Sequence, residues 1–395
     1  MRVTLITETF FPQVNGVSRT LGQLARVLTE AGDAVQLIHP DYGVPTRGRS
    51  DVAVRSIRVP FYPELHLPVP PFRRMAQGID AFEPDIIHIA TEATLGLAAL
   101  RFARKRRIPT VSSFHTNFDQ YSAHYRVAFA RGAIRSYLRW FHNQTLETYV
   151  PSQSTIANLE SLGFRNLVLW PRGVDGTMFR PDRPGRATVR EALGFRPDDV
   201  VIGHVSRIAA EKNVTYLGEA LAQVSASRPE VRILIVGDGP ERPALAKRLG
   251  PAAQFAGYRT GDDLADHFAA ADLFAFASLT ETFGNVILEA MASGLPVVAV
   301  RAGGPGNTVL DGRTGALVEP DQPPERFAEA IIRLVDDGLS RRKMAAQARA
   351  YALSQTWDRI MTDLRGRYEE IVASAAARHF PRTMNHRVGE ASVRP

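Results

Sequence analysis

The 395-residue chain contains no cysteine, which excludes disulfides, thiol nucleophiles and cysteine-ligated metals. No apolar run approaches the roughly 18 residues of a membrane-spanning helix. The opening Met1-Arg2-Val3-Thr4-Leu5 reads as a strand rather than a signal peptide, so a cytoplasmic protein is expected. Asp-x-Asp occurs nowhere and the ten histidines are scattered, so no metal site is expected. The Gly-x-Gly-x-x-Gly pattern is also missing from the first strand–helix turn, which argues against NAD.

What is present fits a globular protein. Apolar residues make up 45% and charged residues 23%. The length exceeds one ordinary core and favours two domains of roughly 170–190 residues. The net charge of +7 is unevenly placed: residues 1–180 carry 21 Lys and Arg against 14 Asp and Glu, whereas residues 181–395 carry 27 of each sign. A basic half suits an anionic partner, whether membrane lipid, nucleic acid or a phosphorylated substrate; it is otherwise a solvated surface.

Strand and helix signals alternate through both halves. In the first, the pattern predicts strands over 3–7, 35–39, 52–59, 85–89, 110–114 and 167–170, and helices over 17–30, 94–106 and 152–162. In the second it predicts strands over 200–206, 231–236, 253–255, 272–276 and 297–300, and helices over 213–227, 241–249 and 261–270. Repeated strand–helix units imply parallel sheets covered on both faces, with ligands at the carboxyl ends of the strands. Pro181–Arg186 reads as a linker, residues 357–371 have helical apolar spacing, and the tail beyond about Ser374 is polar and expected to be disordered. The expected division is therefore 1–180, 187–353, a helix over 354–376 and a tail over 377–395.

The most informative stretch runs from Glu281 to Pro296. Asn285 can cap a helix there, and Gly294 can end it. Glu289 is the anomaly: it sits among Val286, Ile287, Leu288, Ala290 and Met291, on a helix with almost no polar face, where an unpaired carboxylate is costly. Either it has a fixed protein partner or a polar ligand docks against it. Glu281 lies in the loop leading into the same helix start, whose free amides suit an anion.

The whole string is specific: Glu281-x7-Glu289, Phe283-Gly284 after the first Glu, and Ala290-Met291-Ala292-Ser293-Gly294-Leu295-Pro296-Val297-Val298 after the second. It resembles the signature of the retaining GT-B glycosyltransferases of group 1, in particular bacterial GDP-mannose-dependent α-mannosyltransferases acting on lipids. The resemblance spans about residues 3–375. It implies an α/β fold of two doubly wound Rossmann-like domains facing across a cleft, with the acceptor on the first and the nucleotide sugar on the second. It also implies a sugar donor, GDP-mannose or else a UDP-sugar, as co-substrate with no separate cofactor. Retention is favoured to follow a same-face displacement with the leaving phosphate as base.

Other segments fit that resemblance. Ser206-Arg207-Ile208-Ala209-Ala210-Glu211-Lys212-Asn213 follows a strand and opens a helix, where Arg207 and Lys212 suit a diphosphate. Gly16, in the first strand–helix turn, would let backbone approach a phosphate. The turns at Gly237 and Tyr258 would hold the nucleoside base. Glu281 with Phe283, Gly284 and Asn285 would take sugar hydroxyls, and Glu289 the ribose. His115, at the end of Ser113-Phe114-His115, would touch the donor sugar. One departure is Asn307, where many members carry Glu. Between 124 and 141, Arg126, Arg131, Arg135 and Arg139 interleave with Tyr125, Phe129, Tyr137, Trp140 and Phe141. With Arg104-Lys105-Arg106-Arg107, that pattern favours a peripheral contact with an anionic inner-membrane face and a lipid-linked acceptor over an ordinary core helix with a wet basic face. No nucleic-acid partner is expected. A UDP-sugar-dependent glucosyltransferase and a non-catalytic basic binding protein on the same scaffold are the alternatives.

Overall fold

The computed structural model describes residues 1–13, 16–43, 50–59, 62–115, 131–281 and 283–379. Asn15, Thr282, the part of the basic aromatic stretch that holds Tyr125, Arg126 and Phe129, and the tail from residue 380 lie outside them, as does the Arg131 side chain.

The first half builds β1 (Arg2–Ile6), α1 (Gly16–Glu30), β2 (Ala34–Pro40), β3 (Val52–Val54), β4 (Ser56–Val59), β5 (Tyr62–Pro68), α2 (Arg73–Phe82), β6 (Ile86–Ile89), α3 (Thr94–Arg106), β7 (Thr110–Ser113), α4 (Arg131–His142), β8 (Thr148–Val150), α5 (Gln153–Ser161) and β9 (Leu167–Leu169). Seven of these strands form one sheet, ordered β3-β2-β1-β6-β7-β8-β9. β1 lies between β2 and β6 and pairs parallel with both. Its last four residues are buried and β6 is buried throughout, as strands covered on both faces must be.

The predicted strand over 52–59 divides at Arg55. Its first part joins the parallel sheet against β2, whose pairing ends at Pro40 with Val54. Its second part pairs antiparallel with β5 in a two-stranded hairpin.

The second half adds α6 (Gly185–Ala192), β10 (Val201–Val205), α7 (Val214–Ser227), β11 (Arg232–Val236), α8 (Arg242–Leu249), β12 (Ala253–Gly257), α9 (Gly261–Ala270), β13 (Leu273–Phe276), α10 (Asn285–Ala292), β14 (Val297–Val300), α11 (Gly303–Thr308), β15 (Gly315–Val318), α12 (Pro324–Asp336), α13 (Gly338–Leu353) and α14 (Trp357–His379). Its sheet has the order β12-β11-β10-β13-β14-β15, parallel throughout. The helix at 185 intrudes on the predicted linker because tertiary contacts override weak propensity. Arg190, 5% exposed, reaches the Ala270, Arg196 and Asp199 carbonyls and the Asp272 carboxylate. Among the described residues, no helix is long and apolar enough to cross a membrane.

The chain divides into two compact units: Met1–Val14, Leu28–Val111 and Thr362–Pro395 in one, Asn15–Val27 and Ser112–Met361 in the other. In the first unit, α14 is anchored by polar contacts. Tyr368 is fully buried with its hydroxyl 2.5 Å from His88 Nδ1. Arg365 forks onto both carboxylate oxygens of Asp33, at 2.7 and 3.2 Å, and the Met1 ammonium meets the same carboxylate at 2.7 Å. The Asp33 side chain is 1% exposed, so these cations are what keep it ionised, and they hold its pKa below the usual value despite the opposing cost of burial. Replacing Arg365 with Ala should therefore destabilise the fold by about 2 kcal/mol, the scale of breaking a partly buried ion pair on one side. A urea unfolding midpoint equal to that of the wild type would show that Asp33 is satisfied without it.

Candidate active site

In the second sheet the chain order reverses about β10, with β11 on one side and β13 on the other. Ligands of open parallel sheets collect beyond the strand ends at such a switch point. Two loops leave it: residues 206–213 after β10 and residues 277–284 after β13. Three side-chain contacts fasten them together. Asn213 Nδ2 donates to the Ala277 carbonyl at 3.2 Å, and Thr280 Oγ1 donates to the Glu211 carbonyl at 2.9 Å. The third joins the Lys212 ammonium to the Glu281 carboxylate, both about one-fifth exposed. Arg207, largely exposed, pairs with Glu211. The two predicted phosphate-binding cations thus each hold a carboxylate of their own loops.

Beneath Lys212 lies His204, buried in β10 and stacked on Phe274 and Phe276. Its Nδ1 donates to the Ala275 carbonyl at 2.9 Å, leaving Nε2 to accept from the Ser206 hydroxyl at 2.8 Å. Burial first, and the Lys212 charge in addition, lower its pKa to about 4, so this imidazole is neutral. Sequence reasoning passed over His204 because a strand histidine carries no motif; its place two residues before Ser206 was the available signal.

Glycine makes the surrounding turns possible. Gly237 has φ +127°, and a Cβ there would meet the Ser206 carbonyl oxygen at 1.9 Å. The turn after β11 therefore packs directly on the 206–208 backbone, where the Ile208 amide also donates to the Asp238 carbonyl. Likewise a Cβ at Gly304 would lie 2.1 Å from the Phe283 carbonyl oxygen, and the Gly304 amide donates to the Glu281 carbonyl at 2.8 Å. This fixes Glu281 from behind. At Gly16, by contrast, a Cβ would meet nothing within 4 Å, so no packing among the described residues demands glycine there. Tyr258 is 75% exposed at the end of β12.

The cap of α10 differs from expectation. Gly284, at φ +77°, is the capping residue, and Asn285 is the first residue of the helix, with no side-chain cap. The left-handed backbone at the cap position suits Gly284, which has no side chain to cap with, so the first amides of α10 have no side-chain acceptor among the described residues. The helix ends as expected: Leu295 N donates to the Ala290 carbonyl around Gly294.

Glu289 is 8% exposed. Its one partner among the described residues is Arg19 of α1, with Nη1 3.8 Å from Oε1, beyond hydrogen-bond reach. Burial raises its pKa to about 6, and the Arg19 charge only partly offsets that. Of the two readings open in the sequence, a firmly satisfied carboxylate is not what is found.

His115 is held by a different set of residues. Arg172, 6% exposed, donates from Nη2 to His115 Nδ1 at 3.0 Å; a guanidinium can only donate, so Nε2 carries the proton and donates to Ser113 Oγ at 2.8 Å. Arg172 also packs over the Trp170 ring and donates to its carbonyl, while burial lowers its own pKa to about 10. Neither Arg172 nor Trp170 was singled out from sequence. Asn307 donates to Ser154 Oγ at 2.8 Å and to the Gly303 carbonyl at 2.7 Å. In α4, Leu138 and Phe141 are buried, whereas Arg135 and Arg139 are exposed and Trp140 is 42% exposed. Most of that helix's apolar residues thus serve the core.

Residues 199–337 match the family described as Glycosyl transferases group 1, and residues 14–177 match Glycosyltransferase Family 4. The GDP-mannose-dependent alpha-mannosyltransferase of Mycobacterium tuberculosis is 35% identical over 94% of this chain and 97% of its own length. The chain belongs to the group 1 glycosyltransferases. This glycosyltransferase is also 28% identical to the alpha-monoglucosyldiacylglycerol synthase of Acholeplasma laidlawii, over 75% of this chain and 80% of that one. Among solved structures, Anabaena Alr3699/HepE in complex with UDP superposes with a TM-score of 0.75 at 22% identity, covering 94% of this chain and 100% of that one. At that identity the likeness establishes the fold, GT-B.

The environment of Glu289 sets a pH dependence. Its folded pKa of about 6 lies above the ordinary 4.5, so its contribution to stability is complete below pH 4.5 and is lost as pH rises through about 6. Glu289→Gln cannot ionise and avoids that loss. Relative to the wild type, the variant should gain about 2 kcal/mol of stability between those two pH values and hold it at neutral pH. Urea unfolding across the range checks this; a stability difference that does not change with pH would contradict it.

Proposed function

We propose that this enzyme is a metal-independent, retaining mannosyltransferase that uses GDP-mannose and glycosylates a lipid-linked acceptor. The observation that carries the reading is the 35% identity, end to end, to a GDP-mannose-dependent alpha-mannosyltransferase. The diacylglycerol named in the Acholeplasma relative supports a lipid acceptor, and its glucosyl product keeps a UDP-sugar as the second donor reading.

In this reading Arg207 and Lys212 turn from their carboxylates to the donor diphosphate, assisted by free amides at the start of α10. Gly16 lets the first turn approach the phosphates, and the turns at Gly237 and Tyr258 face the base. Glu289 accepts from the ribose hydroxyls. Glu281, Phe283, Gly284 and Asn285 hold the hexose, and His115 touches it from its Arg172 anchor. The bond between the anomeric carbon and the phosphate oxygen breaks while one to the acceptor oxygen forms on the same face. The acceptor proton passes to the leaving phosphate oxygen, and the nucleoside diphosphate departs. The expected division at about residues 180 and 187, with the helix over 354–376 completing the first domain, belongs to the same reading. So does peripheral binding at an anionic membrane face through Arg135, Arg139, Trp140 and the exposed run Arg104–Arg107.

Two experiments test it. A screen of nucleotide sugars for turnover should select GDP-mannose, and most activity should survive excess EDTA, since positive side chains replace the metal. Activity abolished by EDTA and restored only by magnesium or manganese would defeat the metal-free reading.

Lys212→Ala and Arg207→Ala should each slow transfer by at least about 10²-fold, the scale for losing one donor to a developing charge. The fold should be retained, because both side chains reach solvent. Near-normal rates in either variant would remove that residue from the diphosphate site.

A further inference from the structure

We propose that Arg172 is a positioning residue for the transfer reaction, holding His115 as a neutral ring that donates only from Nε2. The assignment rests on the reading that His115 touches the hexose. Arg172 is 6% exposed, and its Nη2 donates to His115 Nδ1 at 3.0 Å. The opposite ring nitrogen then has to carry the proton that meets Ser113 Oγ at 2.8 Å. An imidazolium would turn one N–H toward another and bring two cations together at that distance, away from water. Arg172 therefore does more than choose a tautomer. It opposes protonation of His115.

The charge of this guanidinium acts on the ring undiminished. Its other partners are carbonyls, those of Trp170 at 2.9 Å and Pro171 at 3.5 Å. Among the described residues no carboxylate pairs with it, and burial alone lowers its pKa. Arg190, buried to the same degree, instead meets the Asp272 carboxylate at 3.2 Å. A buried cation without a counter-ion costs stability. Packing alone therefore gives no reason for a guanidinium at 172, where an apolar side chain would cover the same indole.

The segment that carries Arg172 is fixed at both ends. Before it, the Trp170 amide donates to the Val150 carbonyl at 2.8 Å. After it, the Val174 amide donates to the Gln355 carbonyl at 2.9 Å, and a Cβ at Gly173 would lie 2.5 Å from the Trp357 amide nitrogen. The buried Trp170 indole completes the setting. Arg172 lies over it, 4.9 Å from the ring centroid, and His115 meets it edge-on with centroids 5.9 Å apart at 65°. Among the described residues, the imidazole is thus met by a guanidinium, a hydroxyl and an indole, none of them acidic. Nothing in that set favours an imidazolium. A hexose hydroxyl that takes the Nε2 proton must therefore accept, and the contact keeps its direction as pH falls.

The test uses the full chain with isotope-labelled histidine, whose His115 nitrogen signals are assigned by their loss in His115→Gln. In the wild type His115 should keep the Nε2–H form from about pH 5 to about pH 8. In Arg172→Met it should titrate with a midpoint near the ordinary value of about 6.5. Turnover of GDP-mannose by that variant should fall about tenfold further than wild-type turnover between about pH 7.5 and about pH 5.5, as most of the ring becomes charged. Arg172→Lys, which still donates to Nδ1, should restore both the fixed tautomer and the wild-type pH profile. A wild-type His115 that titrates in that range, or carries its proton on Nδ1, overturns the proposal whether or not the variants fold. An Arg172→Met protein with an unchanged His115 spectrum overturns it too, as does one whose spectrum titrates while its pH profile matches the wild type. Spectra that behave as expected in a protein that turns over no nucleotide sugar support the hold on His115 and refute the proposed reaction.

Discussion

The contact between Lys212 and Glu281 closes the two loops that leave the switch point of the second sheet, and the local geometry follows from it. Lys212 is brought there by a short turn that ends at Asn213, a residue held at φ +55° with its side chain tied to the Ala277 carbonyl. Glu281 is brought there by the glycines at 303 and 304, which let its backbone be hydrogen-bonded from behind. Neither loop would hold this course alone. Loops of this length are ordinarily mobile, and cross-loop hydrogen bonds to main-chain carbonyls are what give them a single arrangement. The neutral His204 beneath them matters for the same reason: a second cation at that depth would oppose Lys212, and burial removes its charge.

Glu289 shows the opposite solution to the same problem. Nearly every side of α10 is apolar: Ile287, Leu288, Ala290, Met291 and Ala292 belong to one core with Phe274, Phe276, Val297 and Ala299. Burying that helix whole is what removes the Glu289 carboxylate from water. An arginine at 3.8 Å offsets part of the cost and its raised pKa expresses the remainder. Glu281 is firmly paired and Glu289 is not, although the motif presents them as equivalents.

The parts of this arrangement legible in the sequence were those written in local pattern. Continuous apolar runs such as Val297–Val300 announced buried strands, and the polar intruder in α10 announced a carboxylate without solvent. Between 303 and 353 sequence reading singles out Asn307 but no strand or helix, although the region supplies α11, β15, α12 and α13. Two of its helices, α11 and α12, begin with Gly-Gly-Pro-Gly and Pro-Glu and have no side-chain cap, so packing against the sheet decides their state; α13 is capped by Asp337, which accepts from the Leu339 and Ser340 amides, a signal the sequence did offer. The Arg172–His115 contact was invisible for another reason: it joins residues 57 apart in sequence, and an arginine next to a proline carries no signal of burial. The aromatic-basic stretch left a core helix and a membrane contact both open because helical spacing does not say which face is wet. Phe141 and Leu138 went inward while Arg135 stayed out.

Charge in the first half has to be read by position as well as by sum. Arg172 is buried on an aromatic ring, Arg106 faces Asp80 at 2.7 Å, and Arg2 lies over Phe82. These cations are committed to the fold, and at the surface such pairs contribute little binding potential. The arginines at 55, 58 and 74 are different, since each lacks a described partner and all three share one cavity. Field strength depends on how closely like charges converge and how little of their field is cancelled nearby, so position counts as well as number. The loops after β10 and β13 pair Lys212 with Glu281 and Arg207 with Glu211, so any anion that binds there competes with carboxylates already in place and has to match their geometry.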